Sequence, residues 1–146
     1  MICPYCSHDD SRVLESREAE GAVRRRRECE ACQKRFTTYE RVEEIELTVL
    51  KKDGRKEKFD RQKVKNGMLK ACEKRPVSPE DIESLVSEVE QEARNKEGGE
   101  VSTKFIGDLV MDKLRKLDEV AYIRFASVYK QFKKADEFKQ AVKTLA

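Results

Sequence analysis

The sequence predicts an α+β chain in two parts: a small cysteine-clamped module of short strands, then a β-hairpin over a mainly α-helical bundle. Three observations predict it. Two Cys-x2-Cys pairs, Cys3 with Cys6 and Cys29 with Cys32, are separated by 22 residues. The turn dipeptide Asp53-Gly54 divides the β-branched run "IELTVL" from a short return segment. Beyond residue 60, apolar residues recur every three or four positions, the period of helices with one buried face. A chain of 146 residues with 38% hydrophobic residues suits two small cores better than one large one. Charged residues make up 42% of the chain, a share that would signal disorder without that periodicity.

The first module needs a metal. Its apolar content is little more than Ile2, Val13, Leu14, Val23 and Phe36, too little for about forty residues to fold unaided. Cys3, Cys6, Cys29 and Cys32 form a closed, soft, tetrahedral donor set that suits one Zn²⁺ per chain. Structural zinc contributes on the order of 10 to 16 kcal/mol of apparent binding free energy, which closes the deficit. Two other chemistries compete. Disulfides are disfavoured by a fifth, odd cysteine, Cys72, and by an N-terminus without the apolar region of a signal peptide. Redox exchange is suggested by "CPYC", which resembles the glutaredoxin motif, but only two residues precede it and "SHDDSRV" follows, where a strand and a helix are required. His8, the sole histidine, reads as a surface residue. Cys72 continues the Val64 and Met68 stripe at i, i+4 and i+8 and reads as a buried core thiol.

In a zinc ribbon the segment between the knuckles forms strands, and "AVRRRREC" is one of them. Alternation puts Arg24 and Arg26 on one face and Arg25 and Arg27 on the other, with Lys34 and Arg35 nearby. Arginine's planar fork matches phosphate oxygens and the guanine edge. Two readings stand at this point: contact with DNA or RNA, or a solvated strand whose charge is absorbed by Glu28 and Glu30. Net charge cannot decide, because the overall +3 is segregated by segment. Residues 1 to 46 carry −2, 51 to 75 carry +7, 76 to 103 carry −6 and 104 to 146 carry +4.

The hairpin ends near Phe59, and Asp60 then caps a helix, "RQKVKNGMLKACEKR", that stops before Pro76. Ser78-Pro79-Glu80-Asp81 opens the next with a capping serine, proline at N1 and an acid at N3; its buried stripe is Ile82, Leu85, Val86, Val89 and Ala93. "KEGGE" ends it. Ser102 or Thr103 starts a third helix with Phe105, Ile106, Leu109, Val110, Leu114 and Leu117 inward. Val120 to Phe132 suits a fourth, and a short tail helix surrounds Phe138, Ala141, Val142 and Leu145. Lys51, Lys52, Arg55, Lys56 and Lys58 crowd the hairpin turn and Lys63 begins the next helix, either as an edge protected by lysines or as a side-chain phosphate site. Neither G-x-x-x-x-G-K-[ST] nor G-x-G-x-x-G occurs, and no nucleophile–base pair stands out, so the chain is not expected to be an enzyme. No stretch approaches the roughly 18 apolar residues of a membrane span, so the expected location is cytoplasmic, with no membrane partner.

From "TVLKKDGRKEKFDRQKV" to "AYIRFASVYKQF" the chain resembles an ATP-cone, the regulatory nucleotide-binding domain at the N-terminus of many ribonucleotide reductases. "CPYC…RRRRECEACQKRFTTYE" followed by that cone resembles, over the full length, the bacterial NrdR family of repressors. The resemblance implies a zinc-ribbon DNA-binding domain at 1–45, an ATP-cone at 46–136 and a tail helix at 137–146. It implies ATP or dATP as regulatory ligands, paired promoter boxes in double-stranded DNA upstream of ribonucleotide reductase genes, and nucleotide-controlled homo-oligomers. Carried over by residue, it makes the four cysteines zinc ligands. Arg12, Arg24, Arg25, Arg26, Arg27, Lys34, Arg35 and Tyr39 become DNA-facing. Val49, Lys51, Lys52, Glu57, Lys63 and Tyr129 hold nucleotide, with lysines at the phosphates and Val49 backbone and Glu57 at the adenine. Lys52 stands where many cones carry arginine and lacks its bidentate fork. The alternative is a zinc-ribbon RNA-binding or protein-docking module without a nucleotide response.

Overall fold

The structure, a computed structural model, describes residues 1 to 145. It divides into two units, residues 1–44 and the chain from Ile45 onward. The first is an antiparallel sheet in the order β1 (Ser11–Ala19), β2 (Ala22–Cys29), β3 (Arg35–Arg41). Glu20 and Gly21, both left-handed at φ 38 and 76, close a two-residue hairpin between the partners Ala19 and Ala22, as a type I′ turn requires. The register of β1 against β2 shifts once. Val13 pairs with Arg27 but Glu15 pairs with Arg26, so Leu14 has no partner of its own. This bulge puts Arg12 and Arg17, an odd number of residues apart, on the same face.

In the second unit β4 (Thr48–Leu50) and β5 (Lys56–Lys58) form the expected hairpin, closed by the Lys51 N–H donating to the Arg55 carbonyl at 2.8 Å. A strand that the sequence reading missed, β6 (Glu100–Ser102), pairs parallel to the other edge of β4. It is three residues long and follows the left-handed Gly98 and Gly99, so it shows no periodicity; "KEGGE" reads only as a helix stop. Leu47, Val49, Ala93 and Val101 bury together beneath it, with Phe59 and Phe105 against them.

The larger core lies among α1 (Arg61–Ala71), α2 (Pro79–Asn95), α3 (Thr103–Leu117) and α4 (Glu119–Tyr129), where Met68, Val86, Val89, Leu114, Ala121 and Ala126 are almost fully buried. Asp60, Ser78, Ser102 and Asp118 each accept backbone N–H groups at a helix start, and Ser78 with Asp81 completes a capping box. Each such cap is worth about 1 kcal/mol. Two helices end earlier than the apolar pattern suggests. α1 stops at Ala71 and not at Arg75, because Lys74 is left-handed (φ 58) and the Arg124 guanidinium takes the carbonyls of Ala71 and Glu73 at 3.3 and 2.6 Å. α4 stops at Tyr129 and not at Phe132, closed by a Schellman pair: Phe132 N–H to the Ser127 carbonyl at 2.9 Å and Gln131 N–H to that of Val128 at 3.2 Å. The tail helix, α5 (Ala135–Lys143), buries Ala141 and sets Phe138 edge-on to Phe132 at 5.0 Å, while Val142 is exposed. Cys72 is buried in the larger core and His8 is exposed. Among the described residues no helix is long and apolar enough to cross a membrane.

Candidate functional site

The two cysteine knuckles are built alike. In each, the first cysteine's N–H reaches five residues ahead, Cys3 to the His8 carbonyl and Cys29 to that of Lys34. Ser7 and Gln33, both left-handed, return their N–H groups to the carbonyls of Cys3 and Cys29. That geometry aims backbone donors at sulfur: Tyr5 N–H at Cys3 Sγ, 3.4 Å, and Cys32 N–H at Cys29 Sγ, 3.5 Å. The Cys32 N–H does most to hold the Cys29 thiol down, to about 6. At Cys6 a lowering bond from the His8 backbone is outweighed by desolvation and by the thiols of Cys29, Cys32 and Cys3, which push it to about 12. Thiols this close resist ionising together, and a dication among them removes that resistance. The Sγ atoms lie 3.7 Å apart for Cys3 and Cys32 and 3.6 Å for Cys6 and Cys29, and all four fall within 4.8 Å of one another. A tetrahedron with zinc–sulfur bonds of about 2.3 Å has edges of about 3.8 Å, so the set fits zinc.

Strand register sorts the charge on this sheet. Successive rows across β1, β2 and β3 on one face are Arg12, Glu28, Arg35; Glu15, Arg26, Thr37; and Arg17, Arg24, Tyr39, with Arg41 beside Ala22 at the end. Six arginines there face two glutamates, whereas the opposite face sets Arg25 and Arg27 against Glu18 and Glu40. Glu28 is 8% exposed and takes Arg12 (2.5 Å) and Arg35 (3.1 Å) on its two oxygens; Arg12 does most to hold its carboxyl below the usual range. Glu28 therefore pairs with the flanking strands and not with the arginine run, and Glu30 makes no ion pair among the described residues. Arg25 is held by Ser16 (2.9 Å) and Glu40 (3.2 Å), Arg27 by Thr38 (2.9 Å). Arg24 and Arg26 have no hydrogen-bond or ion-pair partner among the described residues. Lys34 lies over the Tyr5 ring, 5.1 Å from its centroid, and Arg41 over that of Tyr39 at 5.5 Å. Sequence reasoning missed Arg17 and Arg41. The Glu20-Gly21 turn could have placed Arg17 opposite Arg24; the bulge that aligns Arg12 with them leaves no mark in composition.

In the second unit Glu57 gathers two of the expected lysines, Lys51 at 3.2 Å and Lys63 at 3.5 Å. Lys51 is the main reason the Glu57 carboxyl sits below its ordinary range. Two ammonium groups on one carboxylate leave positive charge for a phosphate. Val49 is buried on the same side of the sheet as Glu57, its register partner. Arg55, Lys56 and Lys58 have acidic partners in Asp53, Glu100 and Glu46, while Lys52 is exposed with none among the described residues. Tyr129 is placed apart from these, on α4, stacked on Phe125 at 5.8 Å; burial raises its pKa. Its hydroxyl donates to the Lys104 carbonyl at 3.2 Å, and the neighbouring Thr103 hydroxyl donates to the Leu50 carbonyl at 3.2 Å, so α3 ties Tyr129 to the hairpin. The ring lies so close to Gly107 that a Cβ there would overlap Tyr129 Cζ.

Comparison with known proteins assigns a family domain to each unit. Residues 1–40 match the family model described as transcriptional repressor NrdR-like, N-terminal domain, and residues 47–135 match the ATP cone domain. A transcriptional repressor NrdR of Pelotomaculum thermopropionicum is 56% identical over 99% of this chain and 89% of its own length. Those of Clostridioides difficile and Thermotoga neapolitana are 55% and 56% identical over 99% of this chain, with 95% and 94% of their own lengths covered. All are named for repression, a role that is not enzymatic.

Proposed function

This chain belongs to the NrdR family of transcriptional repressors, and from that premise we propose that it represses genes in response to adenine nucleotides. Its zinc-held sheet binds double-stranded promoter DNA and its ATP-cone binds ATP or dATP. The targets are paired boxes upstream of ribonucleotide reductase genes, and the bound nucleotide sets the state of a homo-oligomer. The observation that supports this reading most is the sheet face on which six arginines meet two glutamates. A uniformly solvated strand has no reason to sort its charge in this way.

A single module of this size buries roughly 600 to 1,000 Å² on DNA, too little for tight promoter selection. Several ribbons held together gain about 10² to 10⁴ in avidity, provided their spacing matches the boxes. Nucleotide acts on that spacing: one bound state presents the ribbons in step with the boxes and another does not. Glu57, Lys51 and Lys63 supply charge for nucleotide recognition.

The test is equilibrium dialysis of radiolabelled ATP and dATP with the full chain, paired with light scattering for mass. Saturable binding of both, weakened at least tenfold by Lys63→Ala, together with different masses in the two nucleotides, is the expected result. Absence of saturable binding refutes the nucleotide half and leaves a ribbon that binds DNA, RNA or protein unregulated.

A further inference from the structure

The sheet face has an internal division of labour that neither the sequence nor the family assignment supplies. It rests on the reading that the ribbon binds duplex DNA. Neighbouring strands lie roughly 4.8 Å apart, so β1 and β3 flank β2 at a total width of about 10 Å, close to the roughly 12 Å of a B-DNA major groove. A central strand facing the groove floor meets base edges, and strands on either side meet the phosphate walls.

Two guanidinium groups without a partner among the described residues sit on the central strand. They are Arg24 and Arg26, which share a face of β2, roughly 6.7 Å apart. Their forks are available for the bidentate pairing that guanine O6 and N7 accept. The outer arginines are held differently. Glu28 grips Arg12 through Nε and Nη2 and Arg35 through Nε, which leaves Arg12 Nη1 and both terminal nitrogens of Arg35 to donate elsewhere. Arg17 is paired with Glu15, and Arg41 rests over Tyr39. Arg25 and Arg27 occupy the other face, where charge is balanced; Arg25 is held through Nε by Glu40 and through Nη1 by Ser16, and Arg27 through Nε by Thr38.

We propose that this face enters the major groove of a B-form duplex, with Arg24 and Arg26 reading guanine edges and Arg12, Arg17, Arg35 and Arg41 holding the flanking phosphates. Arg25 and Arg27 brace the back of the sheet and touch no DNA. Arg17 and Arg41 are thereby new contact residues, Glu28 is a positioning residue, and two arginines of the run leave the interface.

The experiment is fluorescence anisotropy of the full-length, zinc-loaded protein across a salt series. The probes are a duplex spanning a ribonucleotide reductase promoter, the same duplex with 7-deazaguanine for guanine, and a shuffled duplex. Removing N7 weakens wild-type binding about 5- to 150-fold for each bidentate pair lost. Arg24→Lys with Arg26→Lys keeps the charge and the slope of log K against log salt but loses that discrimination. Arg17→Ala with Arg41→Ala keeps the discrimination and flattens the slope by about 0.9 per phosphate contact. Arg25→Ala with Arg27→Ala alters neither, with zinc content confirming that the sheet is intact. A slope flattened by the Arg25 and Arg27 pair, or discrimination surviving in the double lysine variant, overturns the division while the DNA-binding reading stands. Wild-type protein that does not distinguish promoter from shuffled duplex removes both.

Discussion

Gly107→Ala tests whether α3 and α4 pack through Tyr129 as described. The helix is continuous there and Gly107 has ordinary helical backbone, so by propensity alone alanine stabilises it by roughly 0.5 to 1 kcal/mol. Packing acts in the opposite direction. The new Cβ overlaps Tyr129 Cζ and Cε2 and lies 2.5 Å from its hydroxyl oxygen, and a rigid aromatic ring can yield only by swinging away as a whole. Tyr129 must leave, giving up its bond to the Lys104 carbonyl, worth about 1 kcal/mol, and its stacking on Phe125, worth about 0.5 to 1.5 kcal/mol. Residual overpacking adds about 1 kcal/mol or more. The net loss is therefore about 1 to 3 kcal/mol. Urea unfolding followed at 222 nm reads the unit that holds the helices, and the midpoint should fall by roughly 0.5 to 2 M at ordinary slopes. In a Tyr129→Ala background the same substitution should turn stabilising, because only propensity remains. If Gly107→Ala is neutral or stabilising with Tyr129 present, the ring does not lie on Gly107 and the account of this packing fails.

Chelation of zinc should unfold the sheet unit alone: amide exchange in β1 to β3 becomes fast while the helical signal at 222 nm persists, and a loss of both would show that the units are not independent. Replacing Asp118 with Ala removes both the α4 cap and the carboxylate that Arg75 holds at 2.9 Å, a cost of about 1 to 3 kcal/mol by urea unfolding. Arg75 lowers the Asp118 carboxyl, so its contribution is complete above the ordinary carboxylate range and disappears as pH falls through the folded value. Asp118→Asn, which still caps, should therefore lose less stability than wild type between neutral and acid pH, as thermal melts would show. Glu28→Gln keeps hydrogen-bonding oxygen but not charge, and should weaken DNA binding several-fold by freeing Arg12 and Arg35; an unchanged affinity would deny Glu28 its positioning role.

Much of this was legible in the chain because local chemistry determined it. Ser78-Pro79 with Asp81, Asp60 and Asp53-Gly54 mark boundaries that need no tertiary knowledge, and paired knuckles specify their own metal geometry. What escaped depends on partners distant in sequence. Arg124 stops α1 from 53 residues away, β6 exists only because β4 offers an edge, and the Leu14 bulge decides which arginines share a face. The arginine run was visible as a charge block, but its separation into paired and unpaired members came from residues such as Thr38, Glu40 and Ser16 on neighbouring strands.

The central claim is that nucleotide bound in one unit governs DNA binding by the other. The most direct measurement is anisotropy of the zinc-loaded full chain on a ribonucleotide reductase promoter duplex and its shuffled control, first with ATP alone and then with dATP added. The account predicts binding that prefers the promoter and changes at least tenfold between the two nucleotide conditions. Binding that is equal on both duplexes and indifferent to nucleotide would contradict it.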